Sequence, residues 1–526
     1  MLEDPVPTTV YPVAETGVAE LLARYGAPDA DAAHLLVDRH DPAAVAFTTV
    51  SLDGEALVRT DVTYGELAEQ SQRLASGLAS LGVTRGSRVG VLMGKRTELV
   101  VTLLALARLG AVYIPLFTAF ATPAIEMRLR GGDATVVVTQ RDQADKLDPI
   151  DGLTTVVADG DGDLAFDRLL AQNAPIAESV AVGGDGHLIL LFTSGTTGTP
   201  KGVPVPLKAL AAFETYMRSG LDVSDDDVFW NAADPGWAYG LYYGILGPLT
   251  IGRPNVLLQA GFTPEVTARV IDELGVTNFA AAPTVYRSLS KSPAIDGCVL
   301  RRASSAGEPL TPDVITWAEG ALGTQVRDHY GQTEHGMFIN NHWADALRRP
   351  LIPGSMGQPM PGYAAGIVEG EIAIDVAASP LFWFPGYLDA PEKTAARYTG
   401  DGAWYLTGDT GRVDDDGDFF FTARDDDVII MAGYRIGPFD VESVLITHPS
   451  VVDVAVVGRP DALRGEVLEA FVVLADGADG GADLEAELQQ LVKTGFAAHA
   501  YPRTVHFVDS LPKTPSGKIQ RFLLRQ

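Results

Sequence analysis

Short apolar runs and helical spacings of apolar residues alternate along the first half of the chain. Runs such as Arg88–Leu92 are typical of buried strands, whereas 64–81 and 98–109 carry apolar residues three or four positions apart and end at Gly82 and Gly110. The same patterns predict further helices over 18–25, 124–129, 264–274, 438–447 and 484–492. They predict further strands over 111–114, 134–138, 187–191, 228–233, 276–281, 451–457, 467–474 and 504–508. Strands that alternate with helices imply a parallel sheet covered by helices.

Beyond Gly354 the pattern changes to short strands and tight turns. Segments 369–374 and 404–409 are predicted to be antiparallel strands, and 413–421 contains an Asp-Gly pair that is typical of a hairpin turn. After the charged run 424–427, a new α/β pattern begins, with Pro438 at the start of a helix. We therefore predict a domain boundary at about residue 425, which gives domains of residues 1–424 and 425–526.

Charge and cysteine content restrict the classes of function. The chain of 526 residues has a net charge of −29, which disfavours nucleic acid and anionic membrane surfaces as partners. Its one cysteine, Cys298, allows no intramolecular disulfide. The acidic N-terminus lacks the features of a secretory signal, and no apolar run is long enough to span a bilayer. These features predict a cytoplasmic protein, in which Cys298 is a packing residue.

The segment 192–202 is the strongest candidate for ligand chemistry, because it combines glycines, hydroxyls and a lysine directly after the apolar run 187–191. Glycines allow successive backbone N–H groups to face an anion, and Lys201 adds a positive charge. Pro200 and Gly202 break the pattern of the P-loop found in G-protein-type NTPases. A solvated turn is the alternative, but the length of the segment favours a phosphate-binding loop.

Further motifs follow the loop in a fixed order: GEP at 307–309, YGQTE at 330–334, TGD at 407–409, RDDD at 424–427, GYRIG at 433–437 and PKTPSGK at 512–518. Together they resemble the motifs of adenylate-forming (AMP-binding) enzymes, a superfamily of acyl-CoA synthetases, luciferases and adenylation domains of peptide synthetases. The resemblance extends from about Thr63 to the C-terminus. The segments 464–466 and 500–503 resemble medium-chain acyl-CoA synthetases most closely.

The resemblance implies an α/β fold with two parts. A large N-terminal domain of stacked α/β sheets would carry a small β-barrel-like subdomain, and a small mobile α+β domain would follow it. The implied substrates are ATP, coenzyme A and a small carboxylic acid, with Mg²⁺ as the metal.

In the first implied half-reaction the carboxylate joins AMP and pyrophosphate leaves. Glu334 would bind Mg²⁺, Thr333 would contact the α-phosphate, and Asp409 would accept hydrogen bonds from the ribose hydroxyls. Tyr330 would stack on adenine. The implied ATP-binding residues are Thr193, Ser194, Gly195, Thr196, Thr197, Gly198, Thr199, Pro200, Lys201, Gly307, Glu308, Pro309, Asp328, His329, Tyr330, Gly331, Gln332, Thr333, Asp409, Arg424, Arg435 and Lys518.

Lys518 would bridge the substrate carboxylate and the α-phosphate, so Lys518, Thr333 and Glu334 form the implied catalytic set. In the second half-reaction the CoA thiol would attack the acyl-adenylate after the C-terminal domain rotates about Asp426. The implied CoA-binding residues are Ala432, Gly433, Tyr434, Arg464, Lys493, Tyr501, Pro502 and Arg503.

The resemblance implies an acyl pocket that is formed by Trp237, Tyr239, Gly240 and Gly331. Acetate-specific members of the superfamily carry a tryptophan at the position of Gly331, so we expect an open pocket floor here. An open floor predicts propionate, a longer acid or a small aromatic acid as substrate.

The main prediction is therefore an AMP-forming acyl-CoA synthetase for a short- or medium-chain acid. The alternatives are an aryl-CoA ligase of the benzoate type, an enzyme that loads a carrier protein or makes only the adenylate, and a binding protein with this fold but no catalysis. Intact Lys518, Glu334 and Asp409 argue against the last alternative. The identity of the acid and the oligomeric state, a homo-oligomer included, stay open.

Overall fold

The computed structural model describes residues 17–162, 164–193, 200–424, 427–431, 434–461, 465–497, 500–513 and 519–525. The strands of this part are β1 (Val45–Asp53), β2 (Ala56–Thr63), β3 (Arg88–Leu92), β4 (Val112–Leu116), β5 (Val136–Gln140), β6 (Thr154–Ala158), β7 (His187–Thr193), β8 (Lys201–Pro206), β9 (Phe229–Asn231), β10 (Asn255–Leu258), β11 (Asn278–Ala281), β12 (Arg302–Ala306), β13 (Val326–Gln332), β14 (Gly336–Asn340), β15 (Ser355–Pro359), β16 (Ala365–Val368), β17 (Glu371–Asp375), β18 (Trp404–Val413), β19 (Phe419–Arg424), β20 (Ile429–Met431), β21 (Tyr434–Ile436), β22 (Val451–Asp461), β23 (Gly465–Leu474) and β24 (Thr504–Phe507).

The helices of the same part are α1 (Val18–Tyr25), α2 (Tyr64–Ser80), α3 (Thr97–Leu109), α4 (Thr122–Gly131), α5 (Phe166–Gln172), α6 (Ala209–Ser219), α7 (Ala238–Gly240), α8 (Gly247–Ile251), α9 (Pro264–Leu274), α10 (Pro283–Leu289), α11 (Pro312–Ala321), α12 (Pro391–Ala395), α13 (Pro438–Leu445), α14 (Ala482–Gly495) and α15 (Arg521–Leu524). A π-helical segment, Leu241–Leu246, joins α7 to α8. None of the described helices is long and apolar enough to cross a membrane.

The first sheet has the strand order β6-β5-β3-β4-β7-β8. Its first five strands are parallel, as the alternation of strands and helices predicted, and β8 is antiparallel to β7. The predicted phosphate loop therefore lies within a hairpin between β7 and β8. It begins at the carboxyl end of a parallel strand, which is the edge where open α/β sheets bind ligands.

The second sheet has thirteen strands and changes character along its width. Strands β1, β10, β9, β11, β12 and β13 are parallel, and β2 is an antiparallel edge strand beside β1. On the other side, β14, β15, β19, β18, β17 and β16 continue the sheet with antiparallel pairing. The strands predicted over 369–374 and 404–409 belong to this antiparallel half as β17 and β18, and the predicted hairpin at Asp416 and Gly417 joins β18 to β19.

Helices α3 and α6 belong to the core that links the two sheets. Residues Leu99 to Leu109 of α3 are all buried, and nearly all of α6 is buried as well. Both helices share one hydrophobic cluster with Val89 and Val91 of the first sheet and Phe229 of the second. The outer face of the second sheet packs against α9, α10 and α11, and Cys298 lies buried in that cluster. Burial raises the pKa of its thiol.

A third sheet is formed by residues of the C-terminal part, in the order β21-β20-β23-β22, with β24 parallel to β23. Helices α13 and α14 cover it and contribute Val441, Leu445, Leu488 and Val492 to its core. The predicted boundary at residue 425 and the hinge residue Asp426 lie outside the described residues.

Candidate active site

Lys201 is the last residue of the phosphate loop and pairs with Thr193 across the β7–β8 hairpin. Its Nζ lies 4.8 Å from the centre of the Tyr387 ring, a cation–π distance. The backbone supports this contact, because the N–H of Leu388 donates to the carbonyl of Gly202 at 2.8 Å. Residues Ser194 to Thr199 lie outside the described residues.

Glu334 contacts the hydroxyl group of the same tyrosine. The Tyr387 hydroxyl donates to Glu334 Oε1 at 2.8 Å, and the carboxylate is buried. Burial first, and then the charge of Glu334, raise the pKa of Tyr387, so it acts as a neutral donor. Lys201, the implied phosphate-binding lysine, and Glu334, the implied metal ligand, therefore both contact Tyr387. Sequence reasoning missed Tyr387, because a lone tyrosine in a turn has no motif that marks it.

Asp409 joins the end of β13 to β18. Its Oδ2 accepts hydrogen bonds from the Tyr330 hydroxyl and from Gln332 Nε2, both at 2.6 Å. Gln332 Nε2 also donates to the Thr407 carbonyl at 2.9 Å. Asp409 is buried, and its backbone pairs with that of Arg424 on β19. The structure therefore brings four residues of the implied adenosine site together, although the side chain of Arg424 lies outside the description.

The turn after β12 lies beside Asp328, because β12 and β13 are parallel neighbours. Gly307 has a φ of +105°, a value that favours glycine. In the described part of the chain, Glu308 Oε1 and Asp328 Oδ1 are buried without hydrogen-bond partners. Burial raises the pKa of Asp328 to about 8, so this carboxyl group can donate a hydrogen bond at neutral pH. Unpaired buried donors and acceptors fit a polar ring such as adenine.

Thr333 occupies the turn between β13 and β14, next to Glu334. Its carbonyl accepts a hydrogen bond from the Tyr242 hydroxyl at 3.1 Å. Tyr242 lies on the π-helical segment that follows α7, so this contact ties the turn to the element that carries the implied acyl pocket.

The acyl residues lie among aromatic side chains. The Trp237 ring contacts Phe117 and Phe120, with centroid distances of 5.3 and 5.5 Å. The Tyr239 hydroxyl lies 3.1 Å from that of Tyr216. A side chain at Gly240 would overlap the Asp234 carbonyl, so this position lines any pocket only with backbone.

Gly331 corrects the expectation of an open pocket floor. A Cβ at this position would overlap the carbonyl oxygen of Gly336 and lie 2.6 Å from Met337 Cα. The pairing of β13 with β14 is irregular between Tyr330 and Gly331, which brings the two backbones close. Glycine is therefore required by the strand pairing, and its presence does not define the length of the acid.

The His329 side chain also departs from its implied role. Its imidazole is buried between the Tyr216 hydroxyl, at 2.6 Å from Nδ1, and the Asn341 carbonyl, at 3.2 Å from Nε2. Both ring nitrogens are used inside the protein, so the imidazole is not an adenine contact. A tyrosine on α6 and a histidine on β13 are far apart in sequence, and no spacing predicts their contact.

Two of the implied CoA cations flank one ring in the C-terminal part. Lys493 Nζ lies 3.9 Å and the Arg503 guanidinium carbon 3.8 Å from the centre of the Tyr501 ring. The Tyr501 ring thus brings the two positive charges close together. Tyr434 and Arg435 belong to β21, of which the structure describes only the backbone at these two residues. Lys518, Ala432, Gly433 and Arg464 also lie outside the described residues.

These residues fit ATP and a magnesium ion. Mg²⁺ in nucleotide enzymes is held by one or two carboxylates together with substrate phosphates. Glu334 supplies such a carboxylate, and the described residues contain no group of three acidic, histidine or cysteine side chains that would hold a metal without phosphate.

Two family models match the sequence. One, described as AMP-binding enzyme, matches residues 38–376, and a second, described as AMP-binding enzyme C-terminal domain, matches residues 440–518. The chain belongs to the AMP-binding enzyme family.

Individual members of this family agree with the assignment. The acetyl-coenzyme A synthetase of Bacillus subtilis (strain 168) is 35% identical, covering 94% of this chain and 90% of that protein. The mitochondrial acyl-coenzyme A synthetase ACSM4 of Mus musculus is 36% identical, covering 88% of this chain and 83% of that protein. The crystal structure of a Brucella canis acyl-CoA synthetase has a TM-score of 0.75 at 44% identity, covering 98% and 97% of the two chains. The chain is accordingly an AMP-forming acid–CoA ligase with the adenylate-forming fold.

Replacement of Gly331 by alanine tests the close approach of β13 and β14. We expect Gly331→Ala to lower the free energy of unfolding by about 1–3 kcal/mol, because the strands must separate to admit the methyl group. The displaced Tyr330 and Gln332 should reduce the rate of AMP formation by about 10- to 100-fold. Unfolding in urea and a coupled AMP assay measure the two effects.

Gly320→Ala is the matched control, since no atom lies within 4 Å of a Cβ at that helical position. It should leave both quantities unchanged or raise stability slightly. Wild-type activity and stability in Gly331→Ala would contradict the close-approach account.

Proposed function

We propose that this AMP-binding enzyme activates a short- or medium-chain carboxylic acid through an acyl-adenylate and transfers the acyl group to coenzyme A. AMP and pyrophosphate are the other products. The observation that carries the proposal is the convergence of Lys201, Tyr387 and Glu334 next to the Asp409 junction. It unites a phosphate-binding cation, a metal-binding carboxylate and a ribose-binding carboxylate.

The first half-reaction needs two anions held together while negative charge moves onto pyrophosphate. Lys201 and the loop 193–201 bind the β- and γ-phosphates. A magnesium ion at Glu334 would neutralise phosphate charge when ATP is bound. Tyr387 holds the Glu334 carboxylate in place through its 2.8 Å hydrogen bond, and Thr333 contacts the α-phosphate.

The adenosine part of ATP binds between two turns. Asp328, Glu308 and the glycine turn at Gly307 receive adenine, on which Tyr330 stacks. Asp409 accepts the ribose hydroxyls, a role that suits a carboxylate because it is an acceptor with two oxygens. The buried unpaired oxygens of Asp328 and Glu308 support this assignment.

Lys518 supplies the positive charge at the reacting carboxylate and α-phosphate. We propose that residues 425–526 form a separate domain that rotates about Asp426 between the half-reactions. Adenylation then occurs with Lys518 in the site, and thioester formation occurs after it has left. The covered core of α13, α14 and the third sheet supports an independent C-terminal unit.

Coenzyme A is the proposed acyl acceptor, with Lys493 and Arg503 among the contacts to its phosphates. Both cations lie against the ring of Tyr501, which brings two positive charges together on a chain with a net charge of −29. We also propose a cytoplasmic location, which the single buried cysteine supports because disulfides are rare in reducing compartments.

A panel of acids tests the proposed reaction. Acids of two to ten carbons and benzoate are supplied with ATP, Mg²⁺ and CoA, and AMP, pyrophosphate and loss of the CoA thiol are measured. We expect thiol consumption equal to AMP release with at least one aliphatic acid. A parallel series with a phosphopantetheine carrier protein in place of CoA should show no acyl transfer. ATP binding without turnover of any acid would contradict the proposal.

Lys518→Ala tests the two-conformation mechanism. Adenylation should fall by about 10²- to 10³-fold, because a charge that stabilises the transition state is lost. Thioester formation from a supplied acyl-adenylate should change by less than about threefold. Lys513→Ala, which removes a lysine of the same segment that pairs with Asp453 at 2.5 Å, is the control and should preserve both rates. Equal losses in both half-reactions of Lys518→Ala would contradict rotation of the domain.

A further inference from the structure

Three hydrogen-bonded side chains connect β13 to the implied acyl pocket. His329 Nδ1 lies 2.6 Å from the Tyr216 hydroxyl, which lies 3.1 Å from the Tyr239 hydroxyl. His329 and Tyr216 are buried, whereas Tyr239 is only half-buried. Tyr239 is therefore the one of these three side chains that a ligand can reach.

The direction of each hydrogen bond in this series follows from the partner of His329. His329 Nε2 faces the Asn341 carbonyl, which can only accept, so Nε2 carries the hydrogen. Burial lowers the pKa of His329 to about 3, so the ring is neutral and Nδ1 has a lone pair. Tyr216 must then donate its proton to Nδ1.

Tyr239 in turn donates to Tyr216, because the Tyr216 proton is already used. The Tyr239 oxygen keeps only lone pairs for any further partner. A tyrosine hydroxyl normally offers both a donor and an acceptor, but this one is restricted to accepting.

Tyr239 belongs to the segment that carries the implied acyl pocket. It follows Trp237 by two residues, and its partner Tyr216 bonds to His329, the residue directly before Tyr330.

We propose that Tyr239 is a specificity-determining residue that makes the enzyme favour acids carrying a hydroxyl group. Tyr216 and His329 are positioning residues that fix its acceptor character. The inference rests on the proposed function and on the implied place of Tyr239 in the acyl pocket. One neutral hydrogen bond predicts a preference of about 3- to 10-fold in kcat/KM over the unsubstituted acid. An oxo acid, which has no proton to donate, gains nothing.

The test compares butanoate with 2-, 3- and 4-hydroxybutanoate and with the oxo acids of the same positions, by the coupled AMP assay. In the wild type, at least one hydroxy acid should exceed butanoate by about 3- to 10-fold, while its oxo counterpart should not. Tyr239→Phe should bring the ratio of hydroxy acid to butanoate to about one, because the acceptor is gone. The ratio is the readout, so a general loss of activity does not affect it.

Two further variants test the orientation. In Tyr216→Phe the proton of Tyr239 is released, and in His329→Leu Tyr216 can donate only to Tyr239. Both changes turn the Tyr239 hydroxyl into a donor toward the substrate, so both should raise the ratio of oxo acid to hydroxy acid. Tyr286→Phe, which removes a buried hydroxyl bonded to the Phe279 and Ser304 carbonyls, should leave all ratios unchanged.

The outcomes separate this inference from the proposed function. Absence of AMP formation with every acid would refute the proposed function itself. Turnover of acids with no preference for any hydroxy acid, or a preference that survives in Tyr239→Phe, would overturn the specificity role alone. A preference lost in Tyr239→Phe but unchanged in Tyr216→Phe and His329→Leu would overturn the positioning role.

Discussion

The site depends on the hydrogen bonds that the buried carboxylate of Asp409 accepts. A buried charge is costly unless hydrogen bonds compensate it, and Tyr330 and Gln332 supply two of 2.6 Å to one oxygen. These bonds fix the last residues of β13 against β18, where the parallel half of the large sheet meets the antiparallel half. Thr333 and Glu334 follow directly, so their positions depend on the same junction.

A second constraint links the two sheets across the site. The proposed phosphate loop begins on the first sheet, and Glu334, the proposed metal carboxylate, belongs to the second. Tyr387 contacts both Lys201 and Glu334. The two sheets are held by the shared core of α3 and α6, in which most side chains are buried. A displacement of either sheet would separate Lys201 from Glu334, the two groups proposed to act on the leaving phosphates. The shared core therefore fixes the distances between Lys201, Tyr387 and Glu334.

Local features of the sequence were sufficient to predict much of the fold. Helices Val18–Tyr25 and Pro264–Leu274 and strand Arg88–Leu92 are confirmed at their predicted bounds, and Gly110 ends α3 with a φ of 63° as a C-terminal glycine does. Interactions between distant segments were not predictable. The backbone of β14 occupies the space that a side chain at Gly331 would need. The sequence around Gly331 alone does not indicate this contact. Lone tyrosines such as Tyr387 and Tyr216 carry no spacing that marks their partners.

Formation of an acyl-adenylate is the central claim, and oxygen transfer measures it directly. The acid is labelled with ¹⁸O in its carboxylate, and the AMP formed with ATP and CoA is analysed by mass spectrometry. Attack of the carboxylate on the α-phosphate predicts one labelled oxygen in each AMP and none in pyrophosphate. Unlabelled AMP, or label in orthophosphate released together with ADP, would contradict the account.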